Sequence, residues 1–232
     1  SAKNQIYSVD PMNPAPRKEG DLVAMNAAYE AGLVFLGDMQ IPIIDWRPYQ
    51  EPILDMHNSH QSFAARQRMI DGQGSADNQV IWMTGIGPGG PEFDQTPEAF
   101  QVMDQWMENL LANPHLGVAG NKPPDAVDRC FDKDGNQIAA GDDVWDGILN
   151  EQPAGACTQL YPPYSTSRIE AGGPFKGSIF KCELQSVQTA IDKGLYGVWA
   201  PSPAEVAALE TIFPVGSRIL RGPGARFCRD FP

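Results

Sequence analysis

Residues 41–68 read IPIIDWRPYQEPILDMHNSHQSFAARQR, and their opening run decides the fold. Ile41–Ile44 is short, apolar and β-branched, the signature of a buried strand, and Pro42 assigns it to a strand's start or to an edge. From Ser62 the pattern turns helical, with Phe63, Arg66 and Met69 on one side, and is expected to run to about Ile70 and stop at Gly72. Gln79–Met83 (QVIWM) reads as a second buried strand, followed by the glycine-rich GIGPGGP. Upstream, Asp21–Val34 has helical spacing, with Leu22, Met25, Ala28, Tyr29 and Leu33 on one stripe. Downstream, Thr96-Pro97-Glu98 opens a helix whose stripe is Phe100, Met103, Met107, Leu110 and Leu111, ended by Asn113-Pro114. Helix–strand–helix–strand–helix over 21–113 is the rhythm of an α/β sheet.

Residues 1–20 are polar and proline-rich, an arm or linker. Residues 114–232 are expected to form a Pro/Gly-rich tail packed on the same domain. Its clear element is the helix after Ser202, with a Ser202–Glu205 capping box and Pro203 at its first position. Two strands fall short of the five or six of a typical sheet. Either the irregular half holds more strands, or something else completes the sheet; the second is the expectation.

The chain carries 17 basic and 29 acidic residues, a net −12, which argues against nucleic acid or an anionic membrane surface as partner. No apolar run approaches the length of a membrane span. The four cysteines, Cys130, Cys157, Cys182 and Cys228, fit no C-x-x-C metal pattern. They read as two disulfides, Cys130–Cys157 and Cys182–Cys228, each worth roughly 3–4 kcal/mol. Disulfides imply an oxidising compartment, secreted or periplasmic.

The 41–68 stretch also concentrates chemistry. Of three histidines in the chain, His57 and His60 lie here, with Asp45 and Asp55. Histidine titrates near neutrality, and a carboxylate that orients it completes the acid–base part of a triad. Asp45 is expected just past the end of the first strand, where ligands collect in open α/β sheets. Asp55 or Ser59 could instead cap the following helix. Arg47 and Trp46 are the substrate-contacting candidates, although Arg47 and Arg66 serve more simply to hold the loop. A His57/His60/Asp55 metal site lacks the spacing of the helical HExxH motif, and no metal or cofactor is expected.

Other motifs carry less. Gly85–Pro91 matches neither phosphate-loop pattern and is expected to be a stiff turn. Asp132-Lys133-Asp134-Gly135-Asn136 lacks the ligand spacing of a calcium loop and reads as a hairpin turn between Phe131 and Ile138. No Gly-x-Ser-x-Gly occurs, and the sequence after Ser1 does not suit an N-terminal nucleophile.

The run IPIIDWRPYQEPILDMHNSHQSFAARQRMIDGQGSADNQVIW, with NKPPDAVDRCFDKDGNQIAAG, CTQLYPPYSTSRIEAGGPFKGSIFKCEL and AEVAALETIFP, resembles a secreted bacterial family known as domain of unknown function 6351. That family is similar to α/β-hydrolases of the tannase and feruloyl esterase type. The resemblance implies the C-terminal portion of an α/β-hydrolase-like sheet followed by an irregular, disulfide-stapled tail. It implies a serine nucleophile on an N-terminal segment of the same precursor, with Ser1 at a processing site. His57 or His60 then acts as base, oriented by Asp45 or Asp55. One departure stands out: tannase-like enzymes keep their histidine in a glycine-rich loop after the last strand, and Gly85–Pro91 has none. The expected function is cleavage of an ester or related acyl bond in a small-molecule or polymeric substrate. The alternative is a non-catalytic secreted binding or assembly subunit with structural histidines.

Overall fold

The computed structural model describes residues 21–53, 56–87, 90–91, 93–166, 169, 173–178, 186–194 and 196–212. Its first strand, β1 (Ile43–Pro48), is longer than the apolar run alone suggested. It pairs in parallel with β2 (Gln79–Thr84), in a register from Ile43↔Gln79 to Pro48↔Thr84. Ile43 N–H donates to Asn78 O at 2.8 Å and Tyr49 N–H to Thr84 O at 2.7 Å, so odd-numbered residues bond β2 and even-numbered ones point away. Pro42 and Pro48 thus have their missing N–H on the outer side, where no ladder bond is lost. Among the described residues β1 is an edge strand, as Pro42 indicated.

The link from β1 to β2 is α2 (His60–Gln73), which begins two residues earlier than expected and does not stop at Gly72. A Cβ on Gly72 would lie 2.7 Å from Leu36 O, so this glycine lets the chain at 36–37 cross the helix closely. Gly74, left-handed at φ 89°, is the actual terminator. A second parallel crossover runs from β2 through α3 (Thr96–Ala112), a short 3-10 turn and α4 (Gly117–Gly120) to β5 (Arg129–Phe131). Two-residue strands β3 (Ile86–Gly87) and β4 (Gly90–Pro91) pair antiparallel within the glycine-rich loop.

The proline- and glycine-rich half therefore does hold strands. β5 joins β2, and β6 (Gln137–Ala140) returns antiparallel, giving a four-stranded sheet of order β1-β2-β5-β6. The expected turn connects them. Asp132 Oδ1 accepts from the N–H groups of Asp134 (2.8 Å) and Asn136 (2.9 Å), and Oδ2 accepts from Asn136 Nδ2 (3.0 Å). These bonds hold the Asp132 carboxyl below its usual range, the Asn136 side chain contributing most. Gly135, at φ 83°, lies beneath the Phe93 ring, 2.5 Å from where a Cβ would stand.

All six residues of β2 are buried, as expected of a central parallel strand covered on both faces. One face carries Val80, Trp82 and Phe131 against Val102 and Trp106 of α3, with Val118 and Ala126 and flanked by Ile44 and Trp46. Arg129 lies 4.8 Å over the Trp82 ring and bonds Glu98 of α3 at 2.6 Å. On the other face Ile81 and Met83 are buried with Phe63, Ala64 and Met69 of α2 and with Trp145, whose ring meets Phe63 edge-on at 5.4 Å.

Each of the four tryptophans here uses its indole N–H as a fastener. Trp46 donates to Gln95 Oε1, Trp82 to Val127 O, Trp106 to Val118 O and Trp145 to Ile81 O. Arg66 reaches from α2 to Asp128 with two parallel bonds of 2.6 and 2.8 Å, and Asp128 Oδ1 also accepts Ile81 N–H. The Cys130–Cys157 disulfide forms as expected, tying β5 to α5 (Ala156–Leu160). Cys182 and Cys228 lie outside the described residues.

The chain divides into two units, 35–165 as above, and 1–34 with 166–232. The second holds α1 (Leu22–Glu30), capped by Asp21, together with α6 (Val187–Asp192) and α7 (Pro203–Ile212). The Ser202–Glu205 capping box is realised, Glu205 Oε2 accepting from Ser202 N–H (2.7 Å) and Oγ (2.8 Å). Among the described residues, seven α-helices and one disulfide accompany the sheet, and no helix is long and apolar enough to cross a membrane.

Candidate active site

The region of interest begins where β1 ends. Tyr49 extends the ladder by one bond, then turns its ring inward against Tyr161, 5.1 Å away. The Tyr49 hydroxyl donates to Pro162 O at 2.6 Å, and that of Tyr161 donates to Phe131 O at 2.8 Å. Burial, reinforced by the nearby Glu51 and Tyr164, pushes the Tyr49 phenol up to about 12. The two rings bind the 161–162 segment to the ends of β1 and β5.

A 3-10 turn, Glu51–Ile53, follows and buries Glu51, which is 1 % exposed. Its Oε1 accepts both the backbone N–H of Ser59, at 2.8 Å, and the Ser59 hydroxyl in a short contact. Ser59 stands at the head of α2 but does not cap it, because its hydroxyl is turned to Glu51 instead. Arg47 reaches the same loop, donating from Nη1 to Asn58 O, and its Nε lies 3.5 Å from Asp45 Oδ1. His60 N–H donates to Asn58 Oδ1 at 3.2 Å. Loop 49–59 is thus clamped at its base by two charge-assisted contacts, Glu51–Ser59 and Arg47–Asn58.

His57 sits at the exposed part of this loop, in a turn with Met56. His60, the first residue of α2, is 7 % exposed. Burial and the positive charge of Arg68 lower its pKa below 6.5, against the opposing pull of Glu51, so at neutral pH the ring is uncharged.

Asp45 differs from expectation. The strand runs on to Pro48, so Asp45 lies in mid-strand opposite Ile81 rather than past the strand's end. The residues D-W-R-P ended the apolar run but not the ladder, since β1 is an edge and its alternate side chains reach polar surroundings. Trp46 points to the α3 side, with its indole held by buried Gln95. Arg66 is committed to Asp128 and Gln79. Asp55 lies outside the described residues. Among those described, no group of three or more His, Cys, Asp or Glu is placed to hold a metal ion.

Tyr49 and Glu51 were not singled out from sequence. The available signal was an acid embedded in the sparsely charged YQEPIL, eight residues before a serine, which suits burial with a hydrogen-bonded partner.

Residues 6–218 match the model of the tannase-like family of unknown function DUF6351. The chain belongs to this family. No curated protein and no solved structure matches it. The match covers all the described residues, including the clamped loop, the sheet and the disulfide. For this DUF6351 chain the tannase-like description makes hydrolysis a possible activity, while the family's function is unknown.

Proposed function

We propose that this chain supplies the acid–base half of a secreted or periplasmic hydrolase that cleaves an ester or related acyl bond. The observation that carries the reading is the loop beyond β1: its base is fixed by Glu51–Ser59 and Arg47–Asn58, and its exposed portion presents His57. An accessible imidazole beyond a strand's C-terminal end, on a loop anchored at its base, suits proton transfer. The tannase-like family supports the reaction class.

In this reading His57 is the general base. It takes the proton of a serine hydroxyl as that oxygen attacks the acyl carbon, and returns it to the departing alkoxide. The serine comes from a polypeptide segment outside these 232 residues, of the same precursor, since no nucleophile motif occurs here. Asp55 or Asp45 orients the base. His60, buried and neutral, positions the loop, and Arg47 holds it. The portion 35–165 then forms the C-terminal part of an α/β-hydrolase-like sheet. A binding or assembly subunit is the competing reading, favoured by the burial of His60 and Glu51.

Fluorophosphonate labelling of the product of the whole open reading frame tests the reading. Labelling is expected on a serine outside residues 1–232. It should be lost in His57→Ala, and His60→Ala should lower the thermal midpoint before it affects labelling of the folded fraction. Absence of labelling in the unsubstituted protein refutes the serine-hydrolase assignment and leaves the assembly reading.

A further inference from the structure

The sheet has a cavity at the end opposite loop 49–59, where the chain enters β2 and β5. It encloses about 380 Å³, in the range of small-molecule sites, and its walls belong to the 35–165 unit alone. Its buried part is the Arg66–Asp128 pair with Gln79, the first residue of β2, which is 4 % exposed. Arg66 Nε–H donates to Gln79 Oε1 at 3.1 Å. A guanidinium only donates, so this bond fixes the carboxamide with its oxygen towards Arg66 and its Nε2 group turned away. That Nε2 group, on a side chain almost wholly buried, has no acceptor among the described residues.

Three charged side chains complete the wall: Lys122, half-buried, and Asp77 and Asp142, both exposed. None of them makes an ion pair or a side-chain hydrogen bond among the described residues, so the ammonium lies more than 4.0 Å from either carboxylate. Other charges on this sheet pair off, Arg66 with Asp128, Arg129 with Glu98 and Arg47 with Asp45. With Arg66 and Asp128 closed on each other, the cavity offers Lys122 and the Gln79 Nε2 group as donors and Asp77 and Asp142 as acceptors. A simple anion would meet two unpaired carboxylates, and a simple cation would leave Lys122 and Gln79 unanswered. A molecule carrying both charges a few ångströms apart satisfies both sets. Ile70 adds an aliphatic surface to the same wall.

We propose that this cavity binds a small zwitterion of amino-acid or dipeptide type. Its carboxylate accepts from Lys122 Nζ and Gln79 Nε2, its ammonium donates to Asp77 and Asp142, and an aliphatic side chain lies on Ile70. Arg66 is a positioning residue, aiming the Gln79 carboxamide while Asp128 holds the guanidinium. The site stands at the far end of the sheet from His57 and does not depend on the hydrolase reading.

Nuclear magnetic resonance titration of the isotope-labelled protein with L-leucine and with L-leucylglycine, read at the side-chain amide of Gln79, tests the proposal. The resonance is expected to shift saturably, with a Kd of about 1 mM or tighter for at least one probe. Acetylating the amine of that probe, or amidating its carboxylate, removes one charge and should weaken binding about tenfold or more. Lys122→Met, and Asp77→Asn with Asp142→Asn, should weaken it by a similar factor. These side chains hold no partner, so circular dichroism and the thermal midpoint should be unchanged. No saturable shift at Gln79 up to about 20 mM of either probe overturns the proposal. Equal binding of the acetylated form makes this an anion site, and equal binding of the amide a cation site; either result overturns it. Binding indifferent to both variants also overturns it, placing the probe elsewhere on the protein.

Discussion

Removing the Glu51 carboxylate tests the base of the clamped loop. Glu51 Oε1 receives the N–H and the hydroxyl of Ser59, and both residues are almost wholly buried. Hydrogen bonds to a charged group contribute about 1.5–3 kcal/mol each, and a buried donor left without an acceptor costs a comparable amount. Glu51→Ala strands two donors at once, so a loss of about 3–5 kcal/mol is expected. Glu51→Gln keeps a carbonyl oxygen that can accept from both but loses the charge, and should lose about 1–2 kcal/mol. Urea unfolding followed by the fluorescence of buried Trp82, Trp106 and Trp145 reads both values. Combining each substitution with Ser59→Ala gives a double-mutant cycle, in which a coupling above about 1 kcal/mol is expected. If Glu51→Ala costs less than about 1 kcal/mol, or if the cycle is additive, the carboxylate does not anchor the loop and the clamp argument fails.

Stability should also respond to pH through His60. Its native pKa lies below the unfolded value of 6.5, so its contribution is full above that value and is lost as pH falls through the native pKa; urea midpoints between pH 5 and 8 should show a slope that His60→Gln removes. Reducing Cys130–Cys157 opens a loop of 27 residues and should cost about 3.5 kcal/mol, measurable by comparing the Cys130→Ala/Cys157→Ala variant with the oxidised protein. Asp128→Ala frees the Arg66 guanidinium and the Ile81 N–H together, and a loss of about 3–5 kcal/mol is expected in the same assay. Gly135→Ala meets both a left-handed backbone and the Phe93 ring; a lowered thermal midpoint, corresponding to about 1–2 kcal/mol, checks it.

Much of the strand and helix order was legible because local signals agreed with tertiary demand. The β-branched start of β1, the apolar run of β2, the Asp132–Asn136 turn and the Ser202–Glu205 box all appear where residue chemistry placed them. The misses have particular causes. β5 is only three residues long, and its strand character comes from pairing with β2 and from the disulfide rather than from periodicity. On α3 the sequence shows two adjacent apolar stripes, and spacing alone could not say which one meets the sheet. Of the expected stripe Phe100, Met103, Met107, Leu110 and Leu111, Leu110 packs against the core, while Phe100 and Leu111 are exposed and Val102 and Trp106 occupy the inner face. At the start of α3, Asp94 Oδ1 accepts Thr96 N–H at 2.9 Å. At the site, His57 and His60 were visible as residue types, but their division into an exposed and a buried ring was not. Burial of His60 follows from α2 starting there, a boundary set by the Glu51–Ser59 contact across eight positions.

The four indole fasteners make the protein its own set of optical and magnetic reporters. Trp46 joins β1 to the lead of α3, Trp82 joins β2 to the approach to β5, Trp106 joins α3 to α4, and Trp145 joins the loop after β6 to β2. Each side-chain N–H gives a separate resonance, and each sits at a different seam. Titrating denaturant while following those four signals resolves the order in which the seams open, with no label introduced and no residue replaced.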